Sequence, residues 1–189
     1  MNRYAHAVRA GWGFLAVAML SLAPAMASAR VPDSREFSDH LAQARAEAIA
    51  LQQSAEEMNS FVHSHMSWET ETSKIEEIKG HVNKLAEFVA EMNNAEAPSP
   101  WQQQATSDVT PMVNDLSANV SMAIYHLSEN QDRFVYTAFP EYVAANAASA
   151  TDIAQMLSDY VDYGQAKQKA EDLSRELQRE AWGRGEFDR

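Results

Sequence analysis

Apolar residues recur along this chain in alternating steps of three and four. One seam runs through Phe37, Leu41, Ala44, Ala48, Leu51, Ala55, Met58, Val62 and His65. Such steps return to one face of an α-helix, so the seam predicts a long amphipathic helix beginning near Ser34. A second seam, Ile75, Ile78, Val82, Leu85, Val89 and Met92, has Trp68 one step upstream and is out of register with the first. The slip predicts a break between Ser64 and Thr72. That stretch holds neither Gly nor Pro, so one long bent helix is the alternative.

The next boundary is sharper. Asn93 to Pro98 interrupts the pattern, and then Ser99 can cap, Pro100 suits a first helical position, and Gln102 can close a capping box. The third seam is Trp101, Ala105, Val109, Met112 or Val113, Leu116, Val120, Ala123 and Leu127, with Pro111 expected to kink it. After a polar turn at Ser128 to Arg133, Pro140 opens a fourth helix through Tyr142 or Val143, Asn146, Ala150, Ile153, Met156 or Leu157, Tyr160 and Gly164. It continues as a charged helix past Leu173 and Leu177 toward a frayed tail at Gly183-Arg184-Gly185. Four long helices with short connections predict an all-α, antiparallel up-down-up-down four-helix bundle with a long, partly extended C-terminal helix. The expected domain spans residues 30–180, followed by a flexible tail at 181–189.

The first 29 residues follow another logic. Arg3 and Arg9 precede an apolar run from Gly11 to Ala23, broken by Pro24, and Ala27-Ser28-Ala29 supplies small residues for cleavage before Arg30. This is the pattern of a secretory signal peptide, too short and interrupted for a membrane span. The chain is therefore expected to be exported, to the periplasm or the medium, with no membrane span in its mature part.

Charge narrows the partners. Fifteen Lys and Arg face 27 Asp and Glu, a formal charge of −12. Losing residues 1–29 removes two Arg and no acid, which makes it −14. Such a surface repels nucleic acid and anionic lipid, while cations and basic proteins stay permitted. There is no Cys, which excludes disulfides, thiol catalysis and c-type haem attachment.

Four short stretches carry a resemblance: Ile78-Lys79-Gly80-His81-Val82-Asn83; Ala97 to Gln103; His126-Leu127-Ser128-Glu129-Asn130; and Asp159-Tyr160-Val161-Asp162-Tyr163-Gly164. Together they resemble an uncharacterised group of exported bacterial helical proteins over about Ser64 to Leu177. The resemblance implies an all-helical fold and no assigned activity.

Candidate chemistry is sparse. In an up-down bundle the C-terminal ends of helices 1 and 3 share one end, which would gather His63, His65, Met66, Met122 and His126. Imidazole with thioether sulfur suits copper, and His with Met suits b-type haem. The same residues are also ordinary there, since His favours helix C-termini and Met fills cores. No Glu-x-x-His, Gly-x-Ser-x-Gly, His-Glu-x-x-His or Gly-rich phosphate loop is present, so di-iron, hydrolase and nucleotide chemistry are not expected. His81 is expected at a solvent or flank position.

Trp68, Tyr136, Phe139 and Tyr142 belong to that same end. With Phe134, Tyr160 and Tyr163, further aromatics clustered in the second half of the chain, they are read as a partner surface, with packing against helix 3 as the alternative. Asn146, on a helix-4 seam, suits either register control or a ligand in the core. The C-terminal helix offers Ala170, Leu173 and Leu177 as a thin stripe, for a homo-oligomer or simply for a solvated extension. The function expected from all this is a non-enzymatic binding or accessory protein without a cofactor, the alternative being a metal or haem bundle.

Overall fold

The computed structural model describes residues 31–64, 67–131 and 138–185, with side chains as far as Trp182. They form α1 (Arg35–Phe61), α2 (Trp68–Asn94), α3 (Pro100–Glu129) and α4 (Phe139–Gly185). Each helix packs on its two neighbours around a ring, α1 against α2 and α4, and α3 against α2 and α4. Pairs between helices run in opposite senses. His40 meets Glu91 and Lys74 meets Glu57 between α1 and α2, while Arg45 meets Ser158 and Glu56 meets Thr151 between α1 and α4. The bundle is antiparallel, and none of its helices is long and apolar enough to cross a membrane. The proposed signal peptide lies outside the described residues.

The helical seams form the core. Every described apolar position of the first seam and all six of the second are buried. Where two residues competed for a core position, Val113, Val143 and Leu157 take it, and Met112, Tyr142 and Met156 pack on its margin. Ala44, Ala48 and Ala55 on α1 are fully covered, as are Ala105 and Ala123 on α3, so small side chains let the helices approach closely there.

Helices 1 and 2 are separate. Ser67 caps α2 by accepting from Thr70 N–H at 3.4 Å, so a serine side chain restarts the helix where neither Gly nor Pro marks the break. The α2–α3 turn holds Ala97 at a φ of 49°, a left-handed conformation that costs a non-glycine residue about 1 kcal/mol. That turn delivers Ser99 to Gln102. The α3 helix continues through Pro111, which faces solvent.

Helix 4 differs from expectation at its end. It remains helical to Gly185, past the proposed boundary at residue 180. Pairs one turn apart sustain it, Lys167 to Glu171 at 2.8 Å and Arg175 to Asp172 at 2.7 Å, although every side chain from Asp172 to Trp182 is exposed.

One buried polar group joins the starts of two helices. Gln102 is 0 % exposed. Its Oε1 accepts from the N–H of Ser99 and from the N–H of Ser34, both at 2.9 Å. Its Nε2 donates to Ser34 O at 2.9 Å and Ser38 Oγ at 3.4 Å. The expected capping residue of α3 thus also clamps the N-cap of α1.

The opposite half of the bundle holds buried polar groups of the other kind. Asn146 is 1 % exposed and neither polar atom of its side chain makes a hydrogen bond; Glu71 is 2 % exposed and its Oε1 makes none. The α1 pairs to Lys74 and Thr151 place both residues level with the last turn of α1. Burial raises the Glu71 carboxyl above its ordinary value. Such an acid binds a proton more readily folded than unfolded, so its penalty is absent below the unfolded pKa and complete above the folded one.

Two measurements check these assignments. Gln102→Ala strips partners from two N–H groups and one carbonyl, and should cost about 2–4 kcal/mol in a denaturant melt. Glu71→Gln should raise the melting temperature at about pH 7, with the gain shrinking as the pH falls toward about 4. A gain independent of pH would contradict a buried, unpaired carboxylate.

Candidate binding groove at the Trp101 end

Trp101 follows from the α3 cap. With Ser99 and Gln102 fixing the first turn, the indole projects between the start of α1 and the later part of α4. It meets Phe37 edge-on at 6.0 Å between ring centroids and Tyr163 at 5.4 Å. Its Nε1–H donates to Asp33 Oδ1 at 2.8 Å. A Cβ built on Gly164 would lie 2.9 Å from the indole Cη2, so this glycine is what lets Trp101 lie against α4.

The second Asp33 oxygen accepts from Lys167 Nζ at 2.8 Å, and Lys167 also pairs with Glu171. Burial alone would raise the Asp33 carboxyl, but the hydrogen bonds from Lys167 and Trp101, with the charge of Lys167, outweigh it and hold the group below its ordinary value. The hydrogen bond to Asp33, followed by that to Glu171, raises Lys167. Indole, carboxylate and ammonium thus tie the segment before α1 to α3 and α4.

On the α3–α4 side of the indole lies a groove of about 430 Å³, lined by Trp101, Gln104, Met156, Asp159, Tyr160 and Tyr163. Tyr163 is 52 % exposed and offers ring surface to solvent. Tyr160 is held differently, its hydroxyl donating to Asp108 Oδ2. Burial and then the Asp108 carboxylate push that hydroxyl up to about 12, so it stays protonated and the ring stays placed. Gln104 donates to the other Asp108 oxygen at 2.7 Å, and Gln155 donates to Asp159 Oδ1 at 2.8 Å. The groove has aromatic walls, a thioether at Met156, and carboxylates whose hydrogen bonds come from neutral donors.

The end proposed from sequence is described only in part. His65, Met66, Phe134 and Tyr136 lie outside the described residues. His63 is exposed and Met122 is half exposed. His126 is partly buried, with its ring 5.6 Å from that of Tyr142. Trp68 is partly buried and donates from Nε1 to Leu127 O at 3.3 Å, which uses its polar edge to close the last turn of α3. Phe139 is 0 % exposed, so it belongs to the core and offers no partner surface. Among the described residues no three His, Asp or Glu side chains lie close enough together to hold a metal ion.

His81 lies on the flank between α1 and α2, where its Nδ1 is 2.6 Å from Glu47 Oε1 and Lys84 Nζ is 2.9 Å from Glu47 Oε2. Burial would raise the Glu47 carboxyl, and His81 and Lys84 together lower it. This is a helix–helix fastening, with the carboxylate spent on its two partners.

No family model, curated protein or solved structure matches this chain. Two of the four stretches that carried the resemblance nevertheless meet in space, since Trp101 lies against Tyr163 and Gly164. Tyr160 and Tyr163 stand out in the sequence as candidate contact aromatics, but the groove they share with Trp101 does not, because Trp101 reads as a seam position and periodicity cannot distinguish a core residue from one at the core's margin. The signal that could have found it is the pairing of Trp101 with Gly164, a large residue opposite an absent side chain on an adjacent helix.

Gly164→Ala should push the indole off α4. The expected cost is about 1–3 kcal/mol, read from chemical denaturation, with a displaced Trp101 indole resonance in an NMR spectrum. An unmoved resonance and unchanged stability would show that the indole does not depend on this contact.

Proposed function

We propose that this protein is a non-enzymatic binding or accessory protein, exported across the membrane, whose partner surface is the α3–α4 groove beside Trp101. The observation that carries this reading is the groove itself. It is an apolar, aromatic-walled depression of about 430 Å³ between α3 and α4, beside the start of α3 that Gln102 fastens to the start of α1. Trp, Tyr and Met are the residue types that concentrate at recognition surfaces, because they contribute large contact area at little conformational cost. The surrounding groups hold one another in fixed hydrogen bonds and none is arranged as a nucleophile with its base, which favours recognition over catalysis.

The export reading rests on the Arg3/Arg9, apolar and Ala27-Ser28-Ala29 pattern of the first 29 residues. The free part of α4 gives a second, lesser contact surface. Leu173 and Leu177 are each 56 % exposed, four apart on one face, and a second copy of this chain is the occupant we assign to them.

Site-specific photocrosslinking in an exporting host tests the assignment. A crosslinking residue in place of Tyr163 should trap a partner, whereas one in place of exposed Tyr125 on α3 should not. Trapping at Tyr125 alone, or equally at both, would remove the groove from consideration. The mass of the released chain should correspond to a start at Arg30, and a retained leader would refute the export reading.

A further inference from the structure

Charge is unevenly divided around this bundle. The α1–α2 half mixes signs, with Lys74, Lys79 and Lys84 paired to glutamates. In the other half, α3 from Pro100 to Glu129 contains no Lys or Arg, and α4 has none from Phe139 to Ala166. Those segments carry Asp108, Asp115, Glu129, Glu141, Asp152, Asp159 and Asp162. The aromatic groove lies between those two segments, and Lys167, one turn beyond Tyr163 on α4, is held by Asp33 and Glu171.

The acids are also spaced. Tyr160 bonds Asp108, which sets α3 residue 108 beside the 159–160 region of α4. Asp115 is seven residues further along α3, and Asp152 is seven residues back along α4. Seven residues are close to two helical turns, so each pair shares a face, and because the helices are antiparallel the second pair is level as well. The two acidic levels are separated by about 10 Å along the bundle axis. No Lys or Arg forms an ion pair with any of these four carboxylates among the described residues. A spacing of about 9–10 Å is also that of side chains three residues apart on an extended polyproline II segment, which share one face because that helix has three residues per turn.

We propose that the groove binds an extended basic segment of a partner protein, with one Arg or Lys against the Trp101–Tyr163 rings near Asp159 and a second, three residues away, between Asp115 and Asp152. This rests on the groove being the partner surface and adds the chemistry of its occupant. A guanidinium against aromatic rings gains from the ring quadrupole and from apolar contact of its stem, and the neighbouring carboxylates supply the opposite charge. A small organic amine would use one level only. Nucleic acid and anionic lipid are repelled by the same carboxylates.

The test uses the full exported chain and three fluorescent peptides. The first, Gly-Arg-Ser-Ser-Arg-Gly, has arginines three apart; the second, Gly-Arg-Arg-Ser-Ser-Gly, has them adjacent; the third replaces both arginines by Gln. Fluorescence anisotropy gives affinity, and the Trp101 indole resonance reports place. The first peptide should bind at least about tenfold more tightly than the Gln peptide and shift the Trp101 resonance, and it should weaken as salt rises. Tyr163→Ala should weaken it about three- to thirtyfold and Tyr163→Phe should restore it, since the ring and not the hydroxyl is used. Asp152→Asn should narrow the gap between the first two peptides.

If the Gln peptide shifts Trp101 with equal affinity, the basic occupant is wrong while the groove survives as a partner surface. If the Arg peptides bind without moving Trp101, and Tyr163→Ala changes nothing, the groove itself is wrong. Thermal melts of each variant separate a binding defect from a folding defect.

Discussion

The carboxamide of Gln102 is the contact on which the organised end of this bundle depends. A helix start leaves N–H groups without partners, and here two starts lie side by side with one buried side chain to serve both. Because that side chain accepts from two backbone amides and donates to a backbone carbonyl, it fixes the axial position of α1 against α3, which are diagonal to each other. Apolar seams alone would tolerate sliding by a turn. The carboxamide does not, because its donors and acceptor occupy one geometry.

Trp101 inherits its place from this arrangement. It sits one residue before Gln102, about 100° around the helix, so fixing the buried amide also aims the indole. Asp33, in the segment before α1, and Gly164, on α4, then complete the fit, one by accepting the indole N–H and the other by having no side chain. Chain segments separated by more than 60 residues meet through these short-range consequences of one cap. The groove on the α3–α4 side is the exposed remainder of a packing solution that begins in the core.

The periodicity of the sequence carries the fold almost completely, because burial in a helical bundle is governed by the same three-and-four spacing that can be read from the chain. Phe37 to Val62 and Ile75 to Met92 are buried as their spacing demands. The site was less legible. His63, Met122 and His126 could be assigned to one end, but whether side chains converge depends on rotation about each helix axis, and half-exposed Met122 turns outward. Phe139 stands ahead of the helix that Pro140 is expected to open, yet the helix begins with it and it is buried. The double use of Gln102 required knowing that α1 and α3 start level with one another. The run of α4 past Glu171 to Gly185 has no buried seam to announce it, and the ion pair between Arg175 and Asp172 is local to the helix.

The Gln102 and Trp101 hydrogen bonds tie one end of the molecule, and the buried side chains of Glu71 and Asn146 leave polar atoms unanswered at the other. Glu71 and Asn146 lie level with the last turn of α1, while Gln102, Trp101 and Asp33 surround its first turn. Stability is therefore graded along the bundle axis and not partitioned between helices. Opening fluctuations should come first at the level of Glu71 and Asn146 and later at the groove beside Trp101.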